Sequence, residues 1–306
     1  MRKLNIVLIL SAVLWMWGCQ EKLPVELALD QSTNALQVQV LPPIDTTLIV
    51  ETSVDTSGVT QYEGSLYPAT FVVNGVKTDL GDAPRSTFSY SKMLLNDKRS
   101  PIESGTAVIG YNGLDVGAAK VNSFALPKTY RPLRTYTSFT PDLNAGPAYT
   151  LVDPDNQPIS NFSYVPGQPY QFAADGKGAI SSFQVSVQSP EEITVTQPRA
   201  GSIAFRSEDL QIQWNGKRAA SFRLLISSFS PQSIVAVKPL LEINVTEGSN
   251  SITIPAKLLQ GLQANSDGRY LFSVISSNRY TAKIAGYDDE VLVQAASIHN
   301  VLLWLK

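Results

Sequence analysis

Closely spaced carboxylates are the first candidates for chemistry in this 306-residue chain. Pairs of carboxylates can hold Ca²⁺ through their oxygens, or act as acid and base in glycoside hydrolysis. Each group falls at a predicted turn or strand start, where solvated acids and side-chain caps are common. We therefore predict no catalytic and no metal site in them, and keep only Asp153 and Asp155 as candidate Ca²⁺ ligands. The groups are Asp153 and Asp155, Glu191 and Glu192, Glu208 and Asp209, and Asp288, Asp289 and Glu290.

Histidine chemistry is restricted because His299 is the only imidazole in the chain. Metal sites built on a histidine pair need a second imidazole, and a Ser-His-Asp site would lack the GxSxG turn that accompanies many such serines. We expect His299 to be a surface or half-buried residue of the last strand. Ser89 and Lys92 match the SxxK spacing, but the companion SDN and KTG motifs are absent. The sequence therefore predicts no catalytic residue and no cofactor.

Aromatic residues in a segment rich in Pro, Thr and Arg, residues 127–147, are the candidates for ligand contact. They are Tyr130, Tyr136 and Phe139. Exposed aromatic rings can stack on the faces of sugars or anchor a protein partner. A place in the core is the alternative for these three residues.

Composition limits the class of partner. The chain has 24 Lys and Arg against 26 Asp and Glu, so its formal net charge is −2, and the basic residues form no stripe. A nucleic-acid partner is therefore not indicated. Hydrophobic residues make up 43% of the chain, which is enough for a packed core.

The N-terminus has the features of an export signal. Arg2 and Lys3 precede an apolar run that ends at Trp17, and the run is too short to cross about 30 Å of hydrocarbon as a helix. Cys19, the only cysteine, follows Gly18 in an arrangement that resembles the lipobox of bacterial lipoproteins. The resemblance implies a lipidated Cys19 as the first mature residue and a membrane partner through that lipid.

Two alternatives for Cys19 stay open: a buried free thiol after an ordinary signal peptide, or an uncleaved anchor. The next residue is Gln20, where an Asp would resemble an inner-membrane retention signal. We therefore expect the protein in the bacterial cell envelope, at the outer membrane.

Alternation of apolar and polar residues at period two predicts an all-β fold. Strand patterns recur along the chain, and Leu210, Ile212 and Trp214 form the clearest one. Asn74-Gly75 predicts a hairpin turn, residues 91–98 a brief helix, and residues 255–262 one or two helical turns.

The pattern predicts tandem β-sandwich domains with short helical turns only. We expect a signal peptide at 1–18, a lipidated tether at 19–34 and a β-rich domain at 35–188 with a possible split near 127–147. An immunoglobulin-like sandwich without a disulfide is expected at 189–306.

Five segments between about residues 144 and 280 are similar to a pattern of exported bacterial proteins that have no assigned activity. The resemblance implies two consecutive β-rich modules, the second immunoglobulin-like, and an export route. The segments are NAGP (144–147), YVPGQPY (164–170), ITVTQPRAG (193–201), RSEDLQIQWNG (206–216) and ITIPAKLLQGL (252–262).

These features together predict a lipid-anchored envelope protein with a non-catalytic binding or scaffolding role. Its partner would be an envelope protein or a glycan. The alternative is a carbohydrate-binding protein, or a carbohydrate-active surface protein that uses paired carboxylates.

Overall fold

The computed structural model describes residues 36–40, 50–51, 69–104, 107–134, 143–151, 161–230, 237–245, 250–263 and 265–306. Within Ala35–Lys306 the chain forms one compact unit. The described residues contain no helix that is long and apolar enough to cross a membrane.

Nearly all regular structure in these residues is β-strand, which confirms the predicted all-β class. The strands are β1 (Leu36–Val40), β2 (Val50–Glu51), β3 (Ala69–Asp79), β4 (Ser86–Ser104), β5 (Ala107–Gly113), β6 (Ala119–Val121), β7 (Phe124–Leu126), β8 (Lys128–Arg134), β9 (Leu143–Thr150), β10 (Pro169–Ala174), β11 (Phe183–Gln188), β12 (Thr194–Gln197), β13 (Ile203–Ala204), β14 (Leu210–Asn215), β15 (Ser221–Phe229), β16 (Val237–Val245), β17 (Ser251–Ile254), β18 (Arg269–Lys283) and β19 (Glu290–Leu305). A helix, α1 (Ala256–Gly261), lies where the sequence predicts one or two helical turns.

The strands form one large sheet and two small ones. The large sheet has twelve strands in the order β1-β16-β15-β18-β19-β3-β4-β9-β8-β2, with β13 added beside β19 and β5 beside β4. The small sheets have the orders β11-β10-β6-β7 and β12-β14-β17. Both small sheets lie against the large one, and this sandwich-like layering is the arrangement that the sequence predicts.

Two aromatic contacts mark the packing between the layers. Phe71 of β3 packs against Phe172 of β10, with ring centroids 5.7 Å apart. Trp214 of β14 stacks on Phe222 of β15 at 4.6 Å, and the predicted burial of Leu210, Ile212 and Trp214 is confirmed. Such contacts bury large apolar areas, so each small sheet has a core of its own with the large sheet.

The parallel pairing of β3 with β19 joins the two halves of the chain. Its register runs from Thr70 beside Leu292 to Asp79 beside Val301. A domain boundary at 188/189 stays a prediction. The hydrogen bonds of this ladder would cross such a boundary, because β3 lies before it and β19 after it.

Two local predictions differ from the structure. Asn74-Gly75 lies inside β3, and a Cβ on Gly75 would clash with the ring of Tyr164, so the glycine admits an aromatic ring. The residues predicted as a brief helix belong to β4. Pairing with neighbouring strands overrides local propensity at these places.

The face of the large sheet that points away from the small sheets carries buried polar side chains. Ser273 of β18 lies beside Asn300 of β19, whose Nδ2 donates to Oγ1 of Thr78 at 3.1 Å. Among the described residues, the hydroxyls of Ser273 and Ser277 and the amide of Gln294 have no hydrogen-bond partner. A buried polar group without a partner costs about 1–3 kcal/mol, so this row destabilises the sheet.

Asp115 connects the four-stranded sheet to the large one through several hydrogen bonds. Its carboxylate accepts from the ammonium groups of Lys128 (3.0 Å) and Lys177 (2.8 Å) and from the hydroxyl of Tyr149 (2.8 Å). The Tyr149 hydroxyl also accepts from the backbone N–H of Val116 at 2.9 Å.

The hydrogen bonds from Lys177 and Gly117 hold the pKa of Asp115 well below its usual range. Burial, reinforced by Asp115, raises the pKa of Tyr149 to about 12.

We predict that Asp115→Asn lowers the free energy of unfolding by about 2 kcal/mol, since hydrogen bonds to a charged group contribute about 1.5–3 kcal/mol. Urea unfolding at pH 7 measures the change. Asp97→Asn is the control, because Asp97 pairs with the exposed side chain of Arg99 at 3.0 Å, and a solvent-exposed pair contributes little to stability. Equal losses in the two variants would contradict the role given to Asp115.

Candidate binding surface

Most residues predicted to contact a ligand or metal lie outside the described part of the chain: Cys19, Tyr136, Phe139, Asp153 and Asp155. The structure describes Tyr130, which lies in β8 beside Pro147 of β9 with 60% of its surface exposed. Its exposure meets one requirement of the predicted aromatic platform. The platform as a whole stays a prediction.

Three of the remaining acidic residues have polar partners within the fold. Asp209 accepts from the backbone N–H of Ala256 at 2.8 Å and so caps the start of α1. Asp289 pairs with Lys98 at 2.7 Å, and Glu191 with Lys217 at 3.3 Å. In the described residues, no three His, Cys, Asp or Glu side chains come together as a metal site would require.

His299 is buried, which corrects the prediction of a surface or half-buried residue. It lies on β19 with 1% exposure, and its Nδ1 accepts from the backbone N–H of Val195 at 2.6 Å. The ring proton is therefore on Nε2, which has no partner among the described residues. Burial, together with the nearby cations of Arg85 and Lys77, lowers the pKa of His299 to about 4.

Ser89 and Lys92 do not form the arrangement that the SxxK motif requires. That motif needs a helix, which would place the lysine one turn beyond the serine. Both residues lie in β4, where positions three apart project to opposite faces of the sheet. The Ser89 hydroxyl instead accepts from the backbone N–H of Tyr164 at 3.0 Å.

An exposed apolar surface lies around the far end of β19. Ile203 of β13 is the register partner of Trp304, and Phe205 follows two residues later. The ladder of β13 continues through the Arg206 N–H, which donates to the Lys306 carbonyl at 2.8 Å, so Phe205 projects to the same side as Ile203. The exposed fractions are 52% for Ile203, 49% for Phe205 and 37% for Trp304.

A guanidinium group lies between two aromatic rings on this surface. Arg269 is the register partner of Trp304, and its Cζ lies 5.6 Å from the Trp304 ring centroid. On its other side the ring centroid of Phe229 lies at 5.9 Å. We call Ile203, Phe205, Phe229, Arg269 and Trp304 the Trp304 surface. Cation–π contacts of this kind contribute about 0.5–1 kcal/mol each when exposed, so they hold the guanidinium in place.

A tight turn fixes the position of the charged group. Asp267 pairs with Arg269 at 3.0 Å, and its own backbone N–H donates to Oδ1 of Asn265 at 3.2 Å. The Asn265 amide donates to the carbonyls of Phe229 (3.1 Å) and Arg269 (2.7 Å). Gly268 adopts a φ of +64° in this turn, a conformation that favours glycine. The donor and acceptor groups are therefore preorganised.

Tyr270 supports the same turn from inside the sheet. Its hydroxyl accepts from the backbone N–H of Asn265 at 3.0 Å and donates to the Gln263 carbonyl at 2.7 Å. Arg206 donates to this hydroxyl and, at 3.0 Å, to the Leu262 carbonyl. These bonds tie β13, β18 and the turn into one unit.

The Trp304 surface combines apolar and polar groups that a ligand could contact. It offers exposed ring and alkyl area, the N–H donors of Arg269, and the carboxylate oxygens of Asp267. The charges of Arg269 and Asp267 balance each other, and their side chains keep 25% and 35% exposure. Both groups therefore remain open to a ligand that needs a donor beside an acceptor.

Sequence reasoning missed this surface. The residues of β19 are buried almost continuously on both faces, so alternation could not show which side is exposed at Trp304. Two signals were available: a tryptophan at the end of the last strand pattern, and Asn265-Ser266-Asp267-Gly268, a turn sequence that leads directly into Arg269.

Comparison with known proteins adds little. No family model matches the chain, and no curated protein matches it. Among solved structures, the fibronectin(III)-like modules of Clostridium thermocellum CbhA align with 78% of this chain and 94% of theirs, at 11% identity and a TM-score of 0.22.

The low pKa of His299 predicts acid sensitivity. Its ordinary pKa is 6.5 and its folded pKa is about 4, so between these values the unfolded chain binds a proton that the folded chain excludes. Stability falls as the pH drops below about 6.5 and levels off near pH 4, and the total loss is about 3 kcal/mol.

His299→Asn is the matched variant, because an amide oxygen can still accept from the Val195 N–H. Urea unfolding at pH 7 and pH 4 measures the effect in both proteins. The carboxylates affect the acid sensitivity of both proteins equally. We therefore expect the free energy of unfolding of wild type to fall by about 3 kcal/mol more between pH 7 and pH 4 than that of the variant. Equal losses would show that His299 titrates normally in the fold.

Proposed function

We propose that this chain is a lipid-anchored protein of the bacterial cell envelope that binds a partner through the Trp304 surface and does not catalyse a reaction. The observation that carries the binding role is the fixed Arg269 between the Trp304 and Phe229 rings, beside exposed Ile203 and Phe205. Trp and Arg are the residue types that supply most binding energy at interfaces.

The environment of the few catalytic candidates supports a non-catalytic role. His299 already accepts a backbone hydrogen bond through Nδ1, and Ser89 and Lys92 project to opposite faces of β4. A nucleophile needs a base within about 2.6–3.2 Å, and neither arrangement provides one.

The anchor supports the proposed location. A basic start, a short apolar run and Gly18-Cys19 resemble the signal of a bacterial lipoprotein. Each buried methylene of an acyl chain contributes about 0.8 kcal/mol, so a multiply acylated Cys19 would hold the protein at a membrane. With Gln20 after the cysteine, we propose the outer membrane.

The anchor proposal predicts that Cys19→Ala abolishes lipid attachment. Cells are grown with a clickable fatty acid, and the purified protein is assayed for label. Wild type should be labelled and fractionate with membranes, whereas the variant should carry no label. Cys19→Ala labelled as strongly as wild type would refute the anchor.

The binding proposal predicts contact between the Trp304 surface and envelope material. A photo-crosslinking phenylalanine replaces Phe205 in the full-length protein, and cells are irradiated. We expect an adduct of higher mass that disappears when Trp304→Ala is added, because the tryptophan supplies much of the contact area.

Ser123, which is exposed in the turn between β6 and β7, gives the matched control position. We expect no adduct from a crosslinker there. The binding proposal fails if position 205 gives no adduct, or if positions 205 and 123 give the same adducts.

A further inference from the structure

We infer that the ligand of the Trp304 surface is a neutral glycan. This inference rests on the proposed binding role of that surface and adds the chemical class of its ligand. Three properties of the surface carry it: its size, its arrangement of polar groups, and its charge.

The size of the surface argues against a stable protein partner. A buried aromatic side chain removes about 150–250 Å² from water, so Ile203, Phe205 and Trp304, at 37–52% exposure, offer roughly 300 Å². A standard protein–protein interface buries about 800 Å² on each partner, of which somewhat more than half, roughly 450 Å², is apolar. The apolar area of the Trp304 surface is therefore smaller than that of a standard protein interface but sufficient for the ring of a saccharide.

The polar groups match the edge of a sugar ring. A pyranose has an apolar C–H face and a rim of hydroxyls, each of which both donates and accepts hydrogen bonds. The Arg269 guanidinium lies over the Trp304 ring, and its N–H donors lie 3.0 Å from the Asp267 carboxylate. Neighbouring hydroxyls of one sugar could meet this donor and acceptor while its C–H face packs on the exposed parts of Ile203, Phe205 and Trp304.

The charge of the surface favours a neutral polysaccharide as the ligand. Asp267 pairs with Arg269, so the guanidinium has no unmatched charge to offer an anionic ligand. An acidic polysaccharide would have to lie against the Asp267 carboxylate, which repels it. Neutral hexose or pentose polymers meet no such repulsion.

The rigid support of the surface suits a weak ligand of this kind. The Asn265 amide donates to the carbonyls of Phe229 and Arg269, and the Asn265 backbone N–H donates to the Tyr270 hydroxyl. Because the donor and acceptor are fixed before binding, little conformational entropy is lost when a sugar binds.

Affinity electrophoresis of the full-length protein in detergent tests the inference. The gels contain a β-glucan, an α-glucan, a mannan or a xylan, and polygalacturonate serves as the acidic comparison. We expect at least one neutral polysaccharide to retard the protein, and polygalacturonate to have no effect.

Four variants assign the effect to the surface. We expect Trp304→Ala to weaken retardation at least about tenfold and Arg269→Ala at least about fivefold, whereas Trp304→Phe keeps a ring and stays within about threefold of wild type. Tyr280→Ala removes an exposed aromatic ring outside the surface and should bind as wild type. Thermal unfolding checks that each variant is folded.

The inference is overturned if no neutral polysaccharide retards wild type, if folded Trp304→Ala binds normally, or if Tyr280→Ala loses binding in its place. A crosslinked protein adduct from position 205 without glycan binding would overturn the glycan class and leave the proposed binding role intact. Absence of both the adduct and glycan binding would contradict the glycan class and the proposed binding role together.

Discussion

The parallel ladder between β3 and β19 is the constraint on which the rest of this structure depends. It joins strands that are more than 200 residues apart in sequence, from Thr70 beside Leu292 to Asp79 beside Val301. Parallel strands of this kind are buried on both faces, and β19 is accordingly apolar or uncharged along nearly its whole length. Both small sheets pack on the single sheet that this ladder creates.

The end of the same ladder explains the Trp304 surface. β3 accompanies β19 only as far as Val301, and beyond that point the neighbour of β19 is the short strand β13. The change of partner leaves Trp304 and Ile203 side by side at the end of β19, where both side chains are partly exposed. On the other side of β19, Arg269 of β18 is the register partner of Trp304 and completes the row.

Polar residues on β19 fix the position of the three-stranded sheet. Ser297 accepts from the Ile193 N–H at 2.9 Å, and His299 accepts from the Val195 N–H at 2.6 Å. Apolar packing alone would tolerate sliding of one layer over another, whereas these bonds form in one register only. The opposite face of β19 carries Gln294, whose amide has no partner among the described residues. Polar groups therefore specify the fold on one face and cost stability on the other.

The sequence predicts the class of the fold well because period-two alternation is a local signal. Leu210, Ile212 and Trp214 are buried as predicted, and α1 lies within the predicted helical segment. The turn predicted at Gly75 is wrong because both a turn and a close aromatic contact favour glycine. The contact here comes from Tyr164, which is distant in sequence, so the local sequence could not distinguish the two.

The Trp304 surface could not be recognised from the sequence for a similar reason. Trp304, Arg269 and Ile203 come from three strands, and nothing in their local sequences indicates that they are neighbours. The aromatic group proposed from sequence, around Tyr130, was recognisable only because its residues are close in the chain. Proximity across a sheet depends on long-range pairing, which a single sequence does not reveal.

The most direct test of the central claim is hydrogen–deuterium exchange of the full-length protein with and without solubilised envelope of the producing cells. Binding at the Trp304 surface predicts slower exchange in 202–206 and 265–269 and around residue 304, with little change elsewhere. Protection confined to 128–134, or no protection at the Trp304 surface, would contradict the account.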